Sequence, residues 1–322
     1  MLKTGIILTN TGTPDAPTPG ALRKYLREFL SDPRIVQIPR IVWLPILYGL
    51  VLTLRPKKSA SLYKKIWTHA GSPMRVFMHS IQKQLQHKLG ENYLVELGMN
   101  YGQPSIADSI KKLRNAQVDR IIILPLFPQY SDTSTGSSYD RVKAALSKWP
   151  AHPEIHSIHD YAGDLDYIHA LATTTQEYWM AHGKPKHLLI SFHGIPERLV
   201  KAGDPYQSHC EQTANLLANT LNLHKEEWTL CYQSQFGYDK WLKPSTQTLL
   251  TELPKKNIKC VDVICPGFSV DCLETLEEIA ITGKEAFLEA GGEELRYIPA
   301  LNDSSQQIDL LFHLVQGSVV AN

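Results

Sequence analysis

Eight short runs of apolar and β-branched residues recur along the 322-residue chain, and they constrain its fold more than any other feature. They cover residues 5–10, 93–101, 120–127, 155–161, 187–193, 228–233, 259–265 and 295–300. Most are almost continuously apolar and do not alternate, which is typical of strands buried on both faces of a parallel sheet. Helical patterns fill most of the intervals, so the sequence predicts a doubly wound α/β architecture.

The runs fall into two groups, three that end by residue 127 and five that begin at residue 155. The stretch between the groups contains two prolines in KWPAHPE and no long apolar run. We therefore place the crossover between two domains near residue 153. The C-terminal residues show a helical pattern that can return to the first domain. The predicted domains are residues 1–153 with 303–322, and residues 154–302.

Charge and cysteine content exclude several classes of protein. Lysine plus arginine total 33 and aspartate plus glutamate total 32. This balance argues against a nucleic-acid-binding protein, which needs an excess of basic side chains to neutralise phosphates. The five cysteines, the first at position 210, form no CxxC pair, so neither a disulfide framework nor a zinc ribbon is expected. With no signal-peptide pattern at the N-terminus, we expect a cytoplasmic protein.

The longest uncharged apolar run covers residues 41–54, and Pro45 interrupts it. At 14 residues it is too short to span a bilayer. Two interpretations stay open: the run is ordinary core, or it forms an apolar lip that touches a hydrophobic ligand or the membrane surface. The second interpretation predicts a peripheral contact between the protein and a membrane.

A histidine ends the fifth apolar run, in the segment SFHGIP. Ligand sites in doubly wound sheets gather beyond the carboxyl ends of the strands, and His193 is predicted to lie there. An imidazole at this place can ligate a metal or accept a proton at physiological pH. The alternative is a histidine that only holds the Gly-Ile-Pro turn by hydrogen bonds.

An acidic row follows the seventh run, in the segment CPGFSVDCLETLEE. Glu274 and Glu278 lie four residues apart and would share one helix face, an arrangement that suits a metal cation or a proton relay. The alternative is a capping box, in which Asp271 begins the helix and Glu274 reaches back to it. The residue pattern by itself leaves both interpretations open.

Several blocks of the sequence together resemble the ferrochelatase family, which inserts ferrous iron into protoporphyrin IX. The resemblance covers nearly the whole chain. It rests on NTGTP, RPKKSASLYKKIWTHAGSP and FPQYSDTSTGSS in the first half and on SFHGIPERLVKAGDPY, QSQFGYDKWLKPST and PGFSVDCLETLEEIA in the second half. The last block is the most specific, because a long acidic block after a Pro-Gly-Phe turn is not a generic motif.

The resemblance implies two Rossmann-like lobes, each a parallel sheet flanked by helices, with a porphyrin cleft between them. His193 corresponds to the family's metal-ligating and proton-accepting histidine, and Glu274 to the carboxylate that faces it across the macrocycle. Glu278 would extend the acidic relay. Arg55, Tyr63 and Ser72 fall on positions that contact porphyrin in some members.

The implied reaction is insertion of ferrous iron into protoporphyrin IX to form protohaem, the last step of haem biosynthesis. Protoporphyrin IX and ferrous iron are then the partners. The alternatives are a chelatase for coproporphyrin or for cobalt, and a bilobed haem- or porphyrin-binding protein without catalysis.

Two departures from the family pattern concern cofactor and metal ligands. Some members bind a [2Fe–2S] cluster through cysteines in a C-terminal extension and one cysteine after a Tyr-Ser pair. Here Asp132 follows Tyr130-Ser131, and no cysteine lies beyond Cys272, so we expect no iron–sulfur cluster and no cofactor besides the iron substrate. Cys272 also stands where some relatives have a histidine beside the acidic row.

Overall fold

Two compact units make up the chain. The computed structural model describes residues 2–149, 151–237 and 239–320. Unit 1 comprises residues 1–127, 131–160 and 311–322, and unit 2 comprises residues 128–130 and 161–310. The domain limits predicted from the sequence stay a prediction, and their terminal residues Met1 and Asn322 lie outside the described part.

Unit 1 is built on a four-stranded sheet in the order β2-β1-β3-β4, with all neighbouring strands parallel. Its strands are β1 (Thr4–Asn10), β2 (Tyr93–Met99), β3 (Arg120–Pro125) and β4 (Glu154–Ser157). Its helices are α1 (Pro19–Leu30), α2 (Arg40–Ile46), α3 (Leu52–Ile66), α4 (Pro73–Leu89), α5 (Ile106–Asn115) and α6 (Ser137–Leu146), with π-helical turns at Leu47–Val51 and Asp132–Gly136. All seven residues of β1 are buried, as the apolar run predicted.

The helical stretch from α2 to α3 contains two prolines, Pro45 inside α2 and Pro56 inside α3. Pro56 has no N–H to donate to the carbonyl of Leu52, four residues earlier. The Nε of Arg23 donates to that carbonyl oxygen at 2.9 Å and satisfies it. None of the helices in the described residues is long and apolar enough to cross a membrane.

The segment 41–54 divides into a packed face and an exposed face. Leu47 is fully buried among α1 residues, and the indole Nε1 of Trp43 donates to the carbonyl of Leu30 at 2.7 Å. By contrast, Ile41 is 85% exposed and Leu54 is 64% exposed. The core interpretation therefore holds for one face only, and the other face presents apolar side chains at the surface.

Unit 2 repeats the architecture with a second parallel sheet, in the order β6-β5-β7-β8. Its strands are β5 (His187–His193), β6 (Trp228–Gln233), β7 (Cys260–Ile264) and β8 (Glu294–Tyr297). Its helices are α7 (Leu165–His182), α8 (Glu197–Lys201), α9 (Tyr206–Thr220), α10 (Thr246–Glu252), α11 (Leu273–Leu276) and α12 (Lys284–Glu289). A π-helical turn covers Glu278–Gly283, 3-10 turns cover Lys225–Glu227 and Pro254–Lys256, and α13 (Ser305–Val320) follows.

The predicted α/β architecture is confirmed, since each of the eight apolar runs contains or overlaps one strand of a parallel sheet. Five runs extend past the end of their strand. The strands β2, β3, β4, β7 and β8 end at residues 99, 125, 157, 264 and 297, whereas the runs continue to residues 101, 127, 161, 265 and 300. Apolar residues beyond a strand still pack, so apolarity does not mark where the ladder of hydrogen bonds stops.

Candidate functional site

Three strands of unit 2 direct their carboxyl ends to the same edge of the sheet, and the candidate site residues follow those ends. His193 is the last residue of β5, and it stands opposite Gln233, the last residue of β6. The segment that carries Glu274 and Glu278 follows β7. The parallel register thus brings together residues that are up to 85 positions apart in the sequence.

The imidazole of His193 is held in one orientation by its neighbour in the chain. Its Nδ1 lies 2.7 Å from the carbonyl oxygen of Gly194. Because a carbonyl oxygen can only accept, Nδ1 must carry the proton, and the neutral ring then has its lone pair on Nε2. A side chain at position 194 would bring its Cβ within 2.9 Å of the Gln233 carbonyl, so glycine is needed there. The turn therefore fixes the ring and leaves Nε2 available for a metal or a proton.

Glu274 lies in α11, and its carboxylate is not part of the helix cap. The N-cap residue is Cys272, and Thr275 completes a capping box by accepting a hydrogen bond from the Cys272 N–H at 3.0 Å. The alternative interpretation of Asp271 and Glu274 as a capping box is therefore wrong. Asp271 is buried, and its carboxylate accepts hydrogen bonds from Thr275, Tyr297 and Asn302 instead.

Gln233 fixes the backbone of Glu274 relative to the sheet. Its Nε2 donates to the carbonyl of Glu274 at 2.7 Å, and its Oε1 accepts from Ser191 Oγ at 2.8 Å and from Cys265 Sγ at 3.3 Å. The side chain is buried, so these bonds satisfy polar groups that water does not reach. No motif in the sequence singles out Gln233. Gln233 ends the sixth apolar run, as His193 ends the fifth, and this shared position is the sequence signal by which it could have been identified.

Glu278 begins the π-helical turn after α11, and Ser234 holds both of its carboxylate oxygens. The backbone N–H of Ser234 donates to Oε1 at 2.7 Å, and its hydroxyl donates to Oε2 at 2.5 Å. Burial raises the pKa of Glu278, while the Ser234 bonds and the interaction with the His193 imidazole act in the opposite direction. The charge of Glu274 raises it further. Glu278 therefore interacts electrostatically with both His193 and Glu274.

This arrangement supplies one neutral imidazole and two carboxylates at the mouth of a sheet. An imidazole nitrogen with a free lone pair can accept a proton or bind a borderline divalent cation. Among the residues that the structure describes, no group of three or more His, Cys, Asp and Glu side chains is spaced as a metal site.

Comparison with known protein sequences points to one family. The ferrochelatase family model matches residues 3–319. The chain is 48% identical to ferrochelatase of Methylococcus capsulatus over 98% of this chain and 96% of that protein. It is 49% identical to ferrochelatase of Hamiltonella defensa over 97% of this chain and 98% of that protein. The chain belongs to the ferrochelatase family.

Family membership confirms the predicted activity: the chain is an enzyme that inserts iron into a porphyrin for haem synthesis. Solved structures support the fold. The chain superposes on SirB from Bacillus subtilis, determined with Fe³⁺, with a TM-score of 0.60 at 10% identity, over 99% of this chain and 96% of that one. The sirohydrochlorin chelatase SirB in complex with cobalt gives a TM-score of 0.58 at 11% identity, over 98% and 95%.

The three predicted porphyrin contacts of this ferrochelatase all belong to unit 1, whereas His193 and Glu274 belong to unit 2. Arg55 is exposed on α3. Tyr63, also on α3, and Ser72, before α4, are buried, and Ser72 Oγ accepts a hydrogen bond from Thr13 at 2.8 Å. Their contact with porphyrin stays a prediction.

Asp132, which stands where cluster-binding ferrochelatases have a cysteine, forms an ion pair within unit 1. Its carboxylate accepts from Arg34 Nη1 at 3.0 Å, and the same guanidinium pairs with Asp140 on α6. The side chain at this position therefore ties the π-helical turn Asp132–Gly136 to the segment after α1.

Proposed function

We propose that this enzyme inserts ferrous iron into protoporphyrin IX and that His193 and Glu274 carry the reaction. The observation that carries the proposal is the fixed orientation of His193: its Nδ1 is bonded to the Gly194 carbonyl, so Nε2 has a free lone pair at the mouth of the sheet. Glu274 supports the proposal because its carboxylate is free of the capping role that Cys272 and Thr275 fill.

Metallation replaces two pyrrole N–H protons by one Fe²⁺ ion, so the enzyme has to remove two protons and deliver one cation. In a planar macrocycle the nitrogen lone pairs point into the ring, and bending the macrocycle exposes them on one face. Binding energy from the rest of the porphyrin can supply this strain. His193 Nε2 then either accepts a pyrrole proton or holds the incoming metal, and both roles require the neutral ring.

Glu274 and Glu278 are assigned the remaining transfers of cation and protons. Glu274 is half-buried, and its carboxylate attracts the cation towards the macrocycle or takes the second proton. Glu278 comes next in the acidic row and passes protons or cations onward. An imidazole and carboxylates together bind a borderline divalent ion without the closed ligand shell of a structural site, and the ion can therefore be transferred.

The porphyrin is held in part by unit 1. Arg55 is exposed and carries a guanidinium, which suits the propionate groups of a porphyrin. Tyr63 and Ser72 complete the proposed set, and because both are buried, we expect side-chain movement in unit 1 when porphyrin binds. No cofactor besides the iron substrate, and no iron–sulfur cluster, enters this scheme.

A second part of the proposal concerns the apolar face of residues 38–54. The exposed side chains there are Ile38, Ile41, Val42, Ile46, Tyr48, Leu50 and Leu54. The exposed Lys57 and Lys58 follow on α3. Exposed apolar side chains next to basic ones suit the surface of an anionic membrane. We propose that a cytoplasmic enzyme touches the membrane here, as a peripheral protein.

The test of the catalytic assignment is the initial rate of porphyrin metallation in matched variants. His193→Ala should lower the rate by at least ~100-fold, the usual scale for losing a positioned acid–base group. Glu274→Gln should also lose activity while its thermal unfolding stays unchanged. His169→Ala on α7 and Glu285→Gln on α12 are exposed controls of the same residue types, and both should keep wild-type rates. Near-normal turnover of His193→Ala would refute the assignment.

The substrate is tested by offering the same enzyme different porphyrins and metals. Protoporphyrin IX with Fe²⁺ should give the highest kcat/KM. A higher kcat/KM for coproporphyrin or for cobalt would favour the alternative chelatases named from the sequence.

A further inference from the structure

Ser234 is the residue that holds Glu278, and nothing in the sequence pattern assigns it a role. We propose that Ser234 is a positioning residue for metallation: it fixes the carboxylate of Glu278 towards His193 and Glu274. This inference rests on the proposed function, because it assumes that Glu278 belongs to the acidic relay.

The contact involves both carboxylate oxygens of Glu278. One oxygen accepts from the Ser234 backbone N–H at 2.7 Å and the other from the Ser234 hydroxyl at 2.5 Å. Two bonds to one carboxylate restrict both its position and its rotation. Hydrogen bonds from neutral donors also favour the ionised carboxylate over the protonated one.

The backbone of Ser234 adopts the conformation that this double contact uses. Its φ angle is +61°, in the left-handed region that residues other than glycine seldom occupy. Such conformations persist where the surroundings determine them, and they cluster at functional sites. Ser234 directly follows Gln233, whose side chain binds the carbonyl of Glu274. Two consecutive residues at the end of β6 therefore hold the two glutamates. Gln233 binds the backbone carbonyl of Glu274, and Ser234 binds the carboxylate of Glu278.

Kinetic measurements distinguish a positioning role of the Ser234 hydroxyl from a purely structural one. Loss of the hydroxyl should leave porphyrin binding intact, because that binding depends on other side chains. It should lower the rate at which the metal is captured and inserted. The two quantities are measured separately, as porphyrin KM and as kcat/KM for Fe²⁺ at saturating porphyrin.

The experiment is a double-mutant cycle with Ser234→Ala, Glu278→Gln and the variant that combines them. Ser234→Ala should lower kcat/KM for Fe²⁺ by roughly 10- to 100-fold, the effect of losing one hydrogen bond to a charged group, with porphyrin KM unchanged. In the Glu278→Gln background the same serine substitution should have no further effect. Ser208→Ala is the matched control, because its exposed hydroxyl bonds only to the Pro205 carbonyl.

Three results would overturn the proposal. A wild-type rate for Ser234→Ala would show that the hydroxyl is not needed. An equal loss in both backgrounds would show that Ser234 does not act through Glu278. A wild-type rate for Glu278→Gln would remove the relay role, and it is distinguishable from failure of the catalytic assignment, which the rate of His193→Ala decides.

Ser234→Gly provides a second variant in case the alanine variant does not fold. Glycine adopts a positive φ angle readily and keeps the backbone N–H donor while it removes the hydroxyl. It should show the same loss in kcat/KM for Fe²⁺ as the alanine variant, and an unchanged value would contradict the proposal.

Discussion

Arg296→Met should destabilise unit 2 strongly without changing its chemistry. Asp262, on β7, has a fully buried side chain and receives Arg296 Nε at 2.7 Å and Nη2 at 3.1 Å. Its other partner is the indole Nε1 of Trp179, at 2.8 Å. Removing the guanidinium leaves a buried carboxylate with one neutral donor, and breaking a buried pair in this way costs about 3–5 kcal/mol.

The expected fall in melting temperature follows from the size of the unit. At about 2–4 °C for each kcal/mol in a protein of 150 to 250 residues, Arg296→Met should unfold roughly 6–20 °C below the wild type. Asp262 stands opposite Leu188, five residues before His193 along β5, which corresponds to roughly 17 Å. Metallation rates at 25 °C should therefore equal those of the wild type.

The stability lost in Arg296→Met should also depend on pH, and the environment of Asp262 determines the direction. Burial raises the pKa of Asp262, and Arg296 only partly opposes this. Without Arg296 the pKa of Asp262 in the folded state rises further above its unfolded value of 3.8. A raised carboxyl pKa favours folding below the unfolded pKa, and this contribution is lost as pH rises through the folded pKa. The deficit of Arg296→Met relative to wild type should therefore be larger at pH 7 than near pH 4.

Thermal and urea unfolding followed by circular dichroism measure these differences. Adding Asp262→Asn to Arg296→Met removes the unpaired charge and keeps an acceptor for Trp179, so it should recover much of the stability. If the double variant is no more stable than Arg296→Met at pH 7, the cost does not come from a buried unpaired carboxylate, and the reasoning is refuted.

Three further predictions concern the site and the surface. Thr275→Val should lower the unfolding free energy by about 1 kcal/mol, because it removes the capping bond to the Cys272 N–H, whereas Glu274→Gln should leave it unchanged in the same urea titration. Burial raises the pKa of Glu278, so its ionisation should contribute to the acid limb of the pH–rate profile, and Glu278→Gln should alter the shape of that limb relative to wild type. Ile41→Glu should weaken sedimentation with anionic lipid vesicles, whereas Leu165→Glu, at an equally apolar exposed position on α7, should not. Unchanged sedimentation of Ile41→Glu would contradict the membrane contact.

Local sequence patterns were sufficient for the architecture and for the candidate residues His193, Glu274 and Glu278. Strands buried on both faces need apolar side chains at nearly every position, so the eight runs showed where the sheets lie. The histidine at the end of one run and the acidic row after another followed from the same rule, because parallel strands gather their carboxyl ends at one edge. Thr18, a residue type favoured at helix N-caps, directly precedes Pro19 at the start of α1, and its side chain accepts from the N–H of Ala21.

The tertiary structure decided which partner each polar group of the site has. Asp271 and Glu274 have the spacing of a capping box, yet Asp271 is occupied by Tyr297 and Asn302, and Thr275 caps the helix instead. The spacing of two residues within one helical turn gives no information about hydrogen-bond partners such as Tyr297 and Asn302, which lie 26 and 31 residues after Asp271 in the sequence.

Long-range packing also decides two other features: the hydrogen bonds from Ser234 to the Glu278 carboxylate, and which side chains of residues 41–54 are buried. Ser234 and Glu278 are 44 residues apart, and they meet because β6 and the turn after α11 end at the same edge of the sheet. The segment 41–54 is apolar throughout, so its composition could not tell which side chains α1 would cover. A sequence determines which groups need burial or a partner, and only the folded chain determines which of them obtain one, because that depends on contacts between distant segments.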